Sequence, residues 1–467
     1  MILSNFLKKK HKIQYFFLAL LFFRFLISLV SSFLPLSFPD IWRQILTLSV
    51  SARYWSRWTL EKGHQNLFLP AVLDSGDLSG IMPMEFPLLN LLTAPCFSLG
   101  PYLGRSLSIF LYEILTFGLV LLNAGVWKNK KILGIESSPA MVLLPIFSLG
   151  VYWSTKYMPD FLSVLFVVLS MGLSWEKNRP LASLVTASLG LLMKPTAVIL
   201  FFLMIAHPKR WRKALELSCW WIPALGIAFA YYTQGIAFIA QYQDMTSAVG
   251  VRPRSLTGGF NELFKNLPFI STFYYERAFF WGGLVLVLLS SLWSFYTKKT
   301  SFPWILWFIS ILQFVVLAVL DGGNLFYDHY YYLLVLVPVF CLLFVDALAK
   351  CESRILYMGL ILGLLVPIVE VSLIDLKTLY WKPKELIWSM DVQVRELQKR
   401  NPSVPWRQGQ PFRSSQEPFP FLGLHFGEIQ GSKKAKFGFF YREDPFPSEC
   451  RLLDQTPLVR LVSCSSF

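Results

Sequence analysis

Charge is scarce in this chain of 467 residues, where Asp, Glu, Lys and Arg together make up only 15%. A soluble chain carries close to a quarter charged residues, so a water-soluble globular fold is excluded. Histidine occurs 5 times and cysteine 6 times, with no Cys-x-x-Cys and no Cys/His cluster of the kind that holds zinc. On the cytoplasmic side there is no nucleotide-binding pattern: no P-loop, no Gly-x-Gly-x-x-Gly after a strand, and no soluble domain large enough to hold one. No convincing repeat relates the two halves. No cleavable signal is present either, because the first apolar run follows a basic head and continues without a small-residue cleavage site.

What fills the chain instead is apolar: 55% hydrophobic residues and 16% aromatics, with a mean hydropathy of +0.51. That composition specifies a polytopic, all-α membrane protein. About eleven runs approach the roughly 17–25 residues needed to cross the hydrocarbon core. They cover 14–35, 105–126, 138–156, 160–175, 180–194, 195–207, 214–236, 277–296, 302–320, 330–349 and 354–373, the fourth to sixth being short. Lys8 to Lys10 place the N-terminus inside, and every second connection is again basic: Lys128/Lys130/Lys131, Lys177/Arg179, Lys209 to Lys213, Lys298/Lys299 and Lys350/Arg354. The formal net charge of +15 is thus a topology signal. Nucleic-acid binding is not expected, since the basic residues are spread over many loops and form no stripe.

This reading divides the chain into a basic inner N-terminus (1–13), a multi-span domain (14–373) whose first outer loop is 36–104, and an outer domain of mixed structure (374–467). Residues 41–58 fit an amphipathic interfacial helix, with Ile41, Ile45, Leu48, Ala52 and Trp55 on one face and Arg43, Thr47, Tyr54 and Arg57 on the other. The run 87–99, bounded by Pro87 and containing Pro95, is too short to cross and fits a second interfacial segment. Cys450 and Cys464 both fall in the outer tail, where an oxidising compartment allows them to pair.

Ionisable groups at the outer ends of spans are the candidates for chemistry, because charge beside lipid is costly. Asp40 follows Pro39, Glu85 precedes Phe86-Pro87, and Asp160 follows Pro159. Each has an ordinary alternative as a helix-capping or first-turn acid. Together they form a set of carboxylates on one side of the membrane that can supply a general base. Cations on that side are Arg43, Arg53, Arg105, Lys194 and His329. Lys194 suits either snorkelling or a phosphate, and His329 heads the aromatic run Tyr330-Tyr331-Tyr332, which also fits an interfacial belt. Glu113, Asp346 and Glu370 show no partner in the sequence and receive no role.

Taken in order, Trp42-Arg43-Gln44, Asn66-Leu67-Phe68 with Pro70, Glu85-Phe86-Pro87-Leu88, Met158-Pro159-Asp160, Lys194-Pro195-Thr196 and His329-Tyr330-Tyr331 resemble the motifs of the bacterial ArnT/dolichyl-phosphate-mannose mannosyltransferase-like glycosyltransferases of the GT-C fold. The resemblance covers about residues 14–350. It implies a polyprenyl-phosphate-linked sugar as donor, an extracytoplasmic lipid, glycan or protein as acceptor, transfer at the outer face of the cytoplasmic membrane, and inversion at the anomeric carbon. It also implies an essential carboxylate in the first outer loop, two residues beyond the Trp-Arg-Gln triplet, where this chain has Leu46. The base is then one of Asp40, Glu85 and Asp160. Arg43, Lys194 and His329 are candidates for the leaving phosphate, and Trp42, Gln44, Arg105 and Tyr330 for the walls of the cavity. A divalent metal is compatible with this chemistry, but no ligand spacing calls for one. A transporter or lipid flippase, and an inactive component that keeps the fold, are the competing readings. Polar residues gathered at outer boundaries favour surface chemistry over a path through the bilayer.

Overall fold

A computed structural model of the chain describes residues 10–34, most of 44–55, 86–175, 179–207, 210–241, 275–298, 303–321, 330–351, 353–380, parts of 393–404, 412–414, 437–442, 448–457 and 459–464. Asp40, Trp42, Arg43, Glu85 and His329 lie outside these residues. The chain divides into two compact units. One comprises Met1–Ser28, Glu113–Thr233 and Gly250–Leu373, the other Leu29–Tyr112, Gln234–Val249 and Ile374–Phe467.

Helices occupy nearly every apolar run that the sequence marks. Lys10–Ser31, Pro101–Val126, Pro159–Trp175, Pro180–Met193, Arg210–Gln241, Tyr275–Lys298, Trp304–Asp321, Val337–Lys350 and Arg354–Tyr380 are α-helical. Pro195–Ala206 and Tyr330–Leu336 are 3-10 helices. Among the described residues, 4 helices are long and apolar enough to cross a membrane: Ile13–Ser31, Leu103–Val126, Tyr332–Lys350 and Arg354–Leu376. The protein is a membrane protein built mainly of helices.

One expected span is absent. In place of a continuous helix over 138–156 the chain forms two short ones, Ser137–Leu143 and Leu149–Trp153. Pro145 falls between them, and Ser148 adopts a positive φ of 51°. Proline breaks the hydrogen-bond ladder, and the left-handed serine turns the chain back on itself. Gly150 makes that return fit, since a Cβ there would lie 1.7 Å from the Leu144 carbonyl oxygen.

Helices in the first unit are joined by side chains reaching across to backbone carbonyls. Asn123 Nδ2 donates to Leu165 O at 3.1 Å, Trp127 Nε1 to Val168 O at 3.2 Å, and Lys130 Nζ to Gly172 O. Asn123 lies in the last turns of the Pro101–Val126 helix and Trp127 and Lys130 in the turn that follows it, and the three grip carbonyls on successive turns of the Pro159–Trp175 helix. Ser170 and Ser183 exchange hydrogen bonds between Pro159–Trp175 and Pro180–Met193, and Trp221 Nε1 donates to Ser170 Oγ at 3.2 Å. Such polar contacts specify helix pairing where lipid tails remove the hydrophobic incentive. Asp346 also gains a partner that the sequence reading had not assigned: Lys350, one turn on, donates to it at 2.7 Å.

In the second unit, residues of 44–55 are helical and pack on Leu88–Thr93 and the 3-10 turn Ala94–Leu99. The expected polar face is corrected here, since Thr47 and Tyr54 are buried along with Leu48 and Ala52. Asn90 donates to the Thr47 carbonyl and the Ser51 hydroxyl, and Thr93 bonds Ser51 at 3.1 Å. Tyr54 packs with Val50 and Ala94. The bonds from Asn90 and Thr93 offset the desolvation of the Ser51 hydroxyl in this contact. Among the described residues the tail carries a four-stranded sheet of order β1-β2-β4-β3, with β1 Phe412–Ser414, β2 Phe437–Tyr441, β3 Cys450–Gln455 and β4 Val459–Cys464. β1 and β2 run parallel, the other pairs antiparallel. Cys450 and Cys464 sit opposite each other in register and form a disulfide.

Candidate active site

Proline places both charged residues of the site. Pro159 occupies the first position of its helix, where its missing N–H costs nothing, and Asp160 follows in the acid-favouring first turn. On the neighbouring helix Pro195 drives the residue before it out of the α region. Lys194 is accordingly extended, with φ −156° and ψ 106°, and closes the Pro180–Met193 helix while opening the Pro195–Ala206 segment. Its N–H still bonds Gly190 O at 2.9 Å.

The two helices are held in a register that brings these residues together. Ser163, one turn after Asp160, donates to Gly190 O at 2.8 Å, with Lys194 O at 3.4 Å. Gly190 is close to its neighbour: a Cβ there would lie 2.6 Å from Val167 Cγ2 and 3.0 Å from Ser163 O. Lys194 Nζ reaches Asp160 Oδ1 at 3.2 Å, with side chains only 8% and 4% exposed. The ammonium also lies over the Tyr332 ring, 4.8 Å from its centroid. A buried cation thus has a carboxylate on one side and an aromatic face on the other, both favourable to its charge. Gly190→Ala is expected to lower stability by about 1–3 kcal/mol, because two of the atoms its methyl meets are backbone and cannot repack. Detergent or thermal unfolding of the reconstituted protein measures this.

Three further expected site residues are among those described. Tyr330 begins the 3-10 helix Tyr330–Leu336. Gln44 and Arg105 belong to the second unit, both buried, with Arg105 donating to Ser106 Oγ at 3.3 Å. Sequence reasoning missed Tyr332, which the aromatic-belt reading had absorbed. It also missed Lys156, which is 2% exposed and lies 5.0 Å from the Tyr152 ring centroid.

A second polar cluster in the first unit went unread. Arg24, on the first helix, is 2% exposed and donates through Nη2 to Thr155 Oγ1 at 3.0 Å. It shares a pocket with Ser28, Glu113, Thr116, Ser154 and Thr155, closed by apolar side chains including Phe25 and Phe117. The signal was an arginine well inside an apolar run, a costly placement.

Neither a protein-family model nor a curated protein sequence matches the chain. Solved structures do. ArnT from Cupriavidus metallidurans bound to undecaprenyl phosphate aligns with 96% of this chain and 97% of its own, at 11% identity and a TM-score of 0.56. The archaeal oligosaccharyltransferase AglB from Archaeoglobus fulgidus, in complex with an inhibitory peptide and a dolichol-phosphate, aligns over 91% of this chain and 69% of its own, at 12% identity and a TM-score of 0.44. The likeness to ArnT runs almost end to end and gives the fold expected from the ordered motifs.

Proposed function

We propose that the chain is a membrane glycosyltransferase that moves a sugar from a polyprenyl-phosphate-linked donor to an acceptor at the outer face of the cytoplasmic membrane, with inversion. The observation that carries this reading is the buried Asp160–Lys194 pair, with the ammonium over the Tyr332 ring. It combines a carboxylate able to take a proton with a cation able to hold a phosphate, in a fold shared with ArnT. The lack of any nucleotide-binding motif supports a donor that arrives through the lipid. The Cys450–Cys464 disulfide supports a tail outside the cytoplasm.

In this mechanism the two side chains neutralise each other at rest. An incoming donor phosphate draws Lys194 away from Asp160, and the released carboxylate accepts the proton of the acceptor hydroxyl or amine. The acceptor atom bonds to the anomeric carbon from the face opposite the phosphate. The carbon–oxygen bond to phosphate breaks with its electron pair going to the leaving polyprenyl phosphate. Asp40 and Glu85 are alternative bases, and Arg43 and His329 further phosphate ligands, in line with the motif resemblance.

Purified protein in lipid, given a panel of radiolabelled polyprenyl-phosphate sugars and extracted envelope acceptors, is expected to release polyprenyl phosphate with at least one donor. Absence of release with every donor, from protein shown to be folded, would overturn the assignment.

A further inference from the structure

Asp160 is placed by the helix it opens and by the connection that leads into that helix, Ser154 to Met158. Turn bonds inside this connection are local: Ser154 N to Gly150 O at 3.0 Å and Lys156 N to Trp153 O at 3.2 Å. Ser154 Oγ adds a bond to Pro145 O at 3.0 Å, still within the same broken segment. A contact from another helix is different in kind, and Arg24 makes one. Its guanidinium donates to Thr155 Oγ1 at 3.0 Å from a helix far away in sequence.

We infer that Arg24 is a positioning residue: through Thr155 it fixes the Ser154–Met158 connection against the first helix and so sets where Asp160 presents its carboxylate. Three observations support this. Burial of Arg24 in an apolar helix is costly, and such arginines persist where their hydrogen bonds hold something in place. The guanidinium is a rigid fork of donors, suited to fixing an acceptor's direction in a way an ammonium is not. Glu113 lines the same pocket from the Pro101–Val126 helix, so the cation shares its pocket with an acid on a second element. Between them, two helices and the connection meet at one polar point a few residues before Asp160.

The effect on turnover rests on the glycosyltransferase reading, whereas the effect on the connection does not. The test therefore uses two measurements on full-length protein in lipid nanodiscs. Thr155→Val removes the acceptor oxygen and keeps the side-chain shape, and Thr155→Ser restores the oxygen. Amide hydrogen exchange over 154–160 is expected to rise about tenfold in Thr155→Val and Arg24→Lys, to stay near wild type in Thr155→Ser, and to be unchanged across 180–193. With an active donor, kcat should fall about tenfold in Thr155→Val while KM stays within about twofold, the pattern of a group needed only on the way to the transition state. Wild-type exchange in both altered proteins would overturn the inference. So would raised exchange with unchanged kcat, because the connection would then not govern Asp160. A wild-type protein that turns over no donor would refute the proposed function, and the exchange data would still decide whether Arg24 holds the connection.

Discussion

Asp160→Asn is expected to lower release of polyprenyl phosphate by about 10²–10⁴-fold, the range a positioned general base contributes. The substitution also strips a buried lysine of its counter-charge, and removing one member of a buried pair costs about 3–5 kcal/mol. Catalysis and stability must therefore be separated. Lys194→Met leaves the carboxylate buried opposite a thioether and should destabilise by a similar amount, with KM for the donor rising. Combining the two changes removes both charges, so stability should return most of the way to wild type while turnover stays at the floor. Unfolding midpoints and turnover of the three variants decide the matter. Recovery of turnover in the double variant would mean that the pair only holds two helices together, and the proton acceptor would have to be Asp40 or Glu85.

Arg24→Leu is expected to cost about as much stability as breaking the Asp160–Lys194 pair. Glu113 would be left in its apolar helix with the neighbouring cation gone, a loss of about 3–5 kcal/mol, visible as a lower midpoint of denaturation in lipid. Adding Glu113→Gln should recover more than half of that loss, because a neutral amide needs hydrogen bonds but no counter-charge. Measured alone, Glu113→Gln should be destabilising too, since it leaves Arg24 without the acid. Equal and additive losses would show that the two residues do not sense each other.

Much of the site was legible because proline writes boundaries into a sequence. Pro159 and Pro195 mark a helix start and a helix break, and the charges next to them, Asp160 and Lys194, stand out for that reason. Their mutual contact was not legible, since it depends on the register of two helices set by Ser163 and Gly190, which resemble ordinary small residues in a span. Tyr332 was read as part of an interfacial aromatic run, and composition alone does not distinguish that from a ring beneath an ammonium. Arg24 and the Asp346–Lys350 pair could have been found: the first by counting charges inside spans, the second by the four-residue spacing that makes helix neighbours. The break in 138–156 was signalled by Pro145, but apolar content outweighed it. Hydropathy measures how greasy a run is and says nothing of whether its backbone continues.

The Pro195–Ala206 segment reaches further than its length suggests. An α-helix of 12 residues rises about 18 Å, but a 3-10 helix advances about 2.0 Å per residue, so this one extends about 24 Å. That is most of the roughly 30 Å hydrocarbon depth of a bilayer. A segment too short for the task as an α-helix becomes nearly sufficient by drawing out its coil, at the expense of weaker hydrogen-bond geometry in every turn. The stretched coil begins after Lys194, so any slackening toward α geometry would shorten it by several ångströms and shift the lysine relative to the far end of the segment.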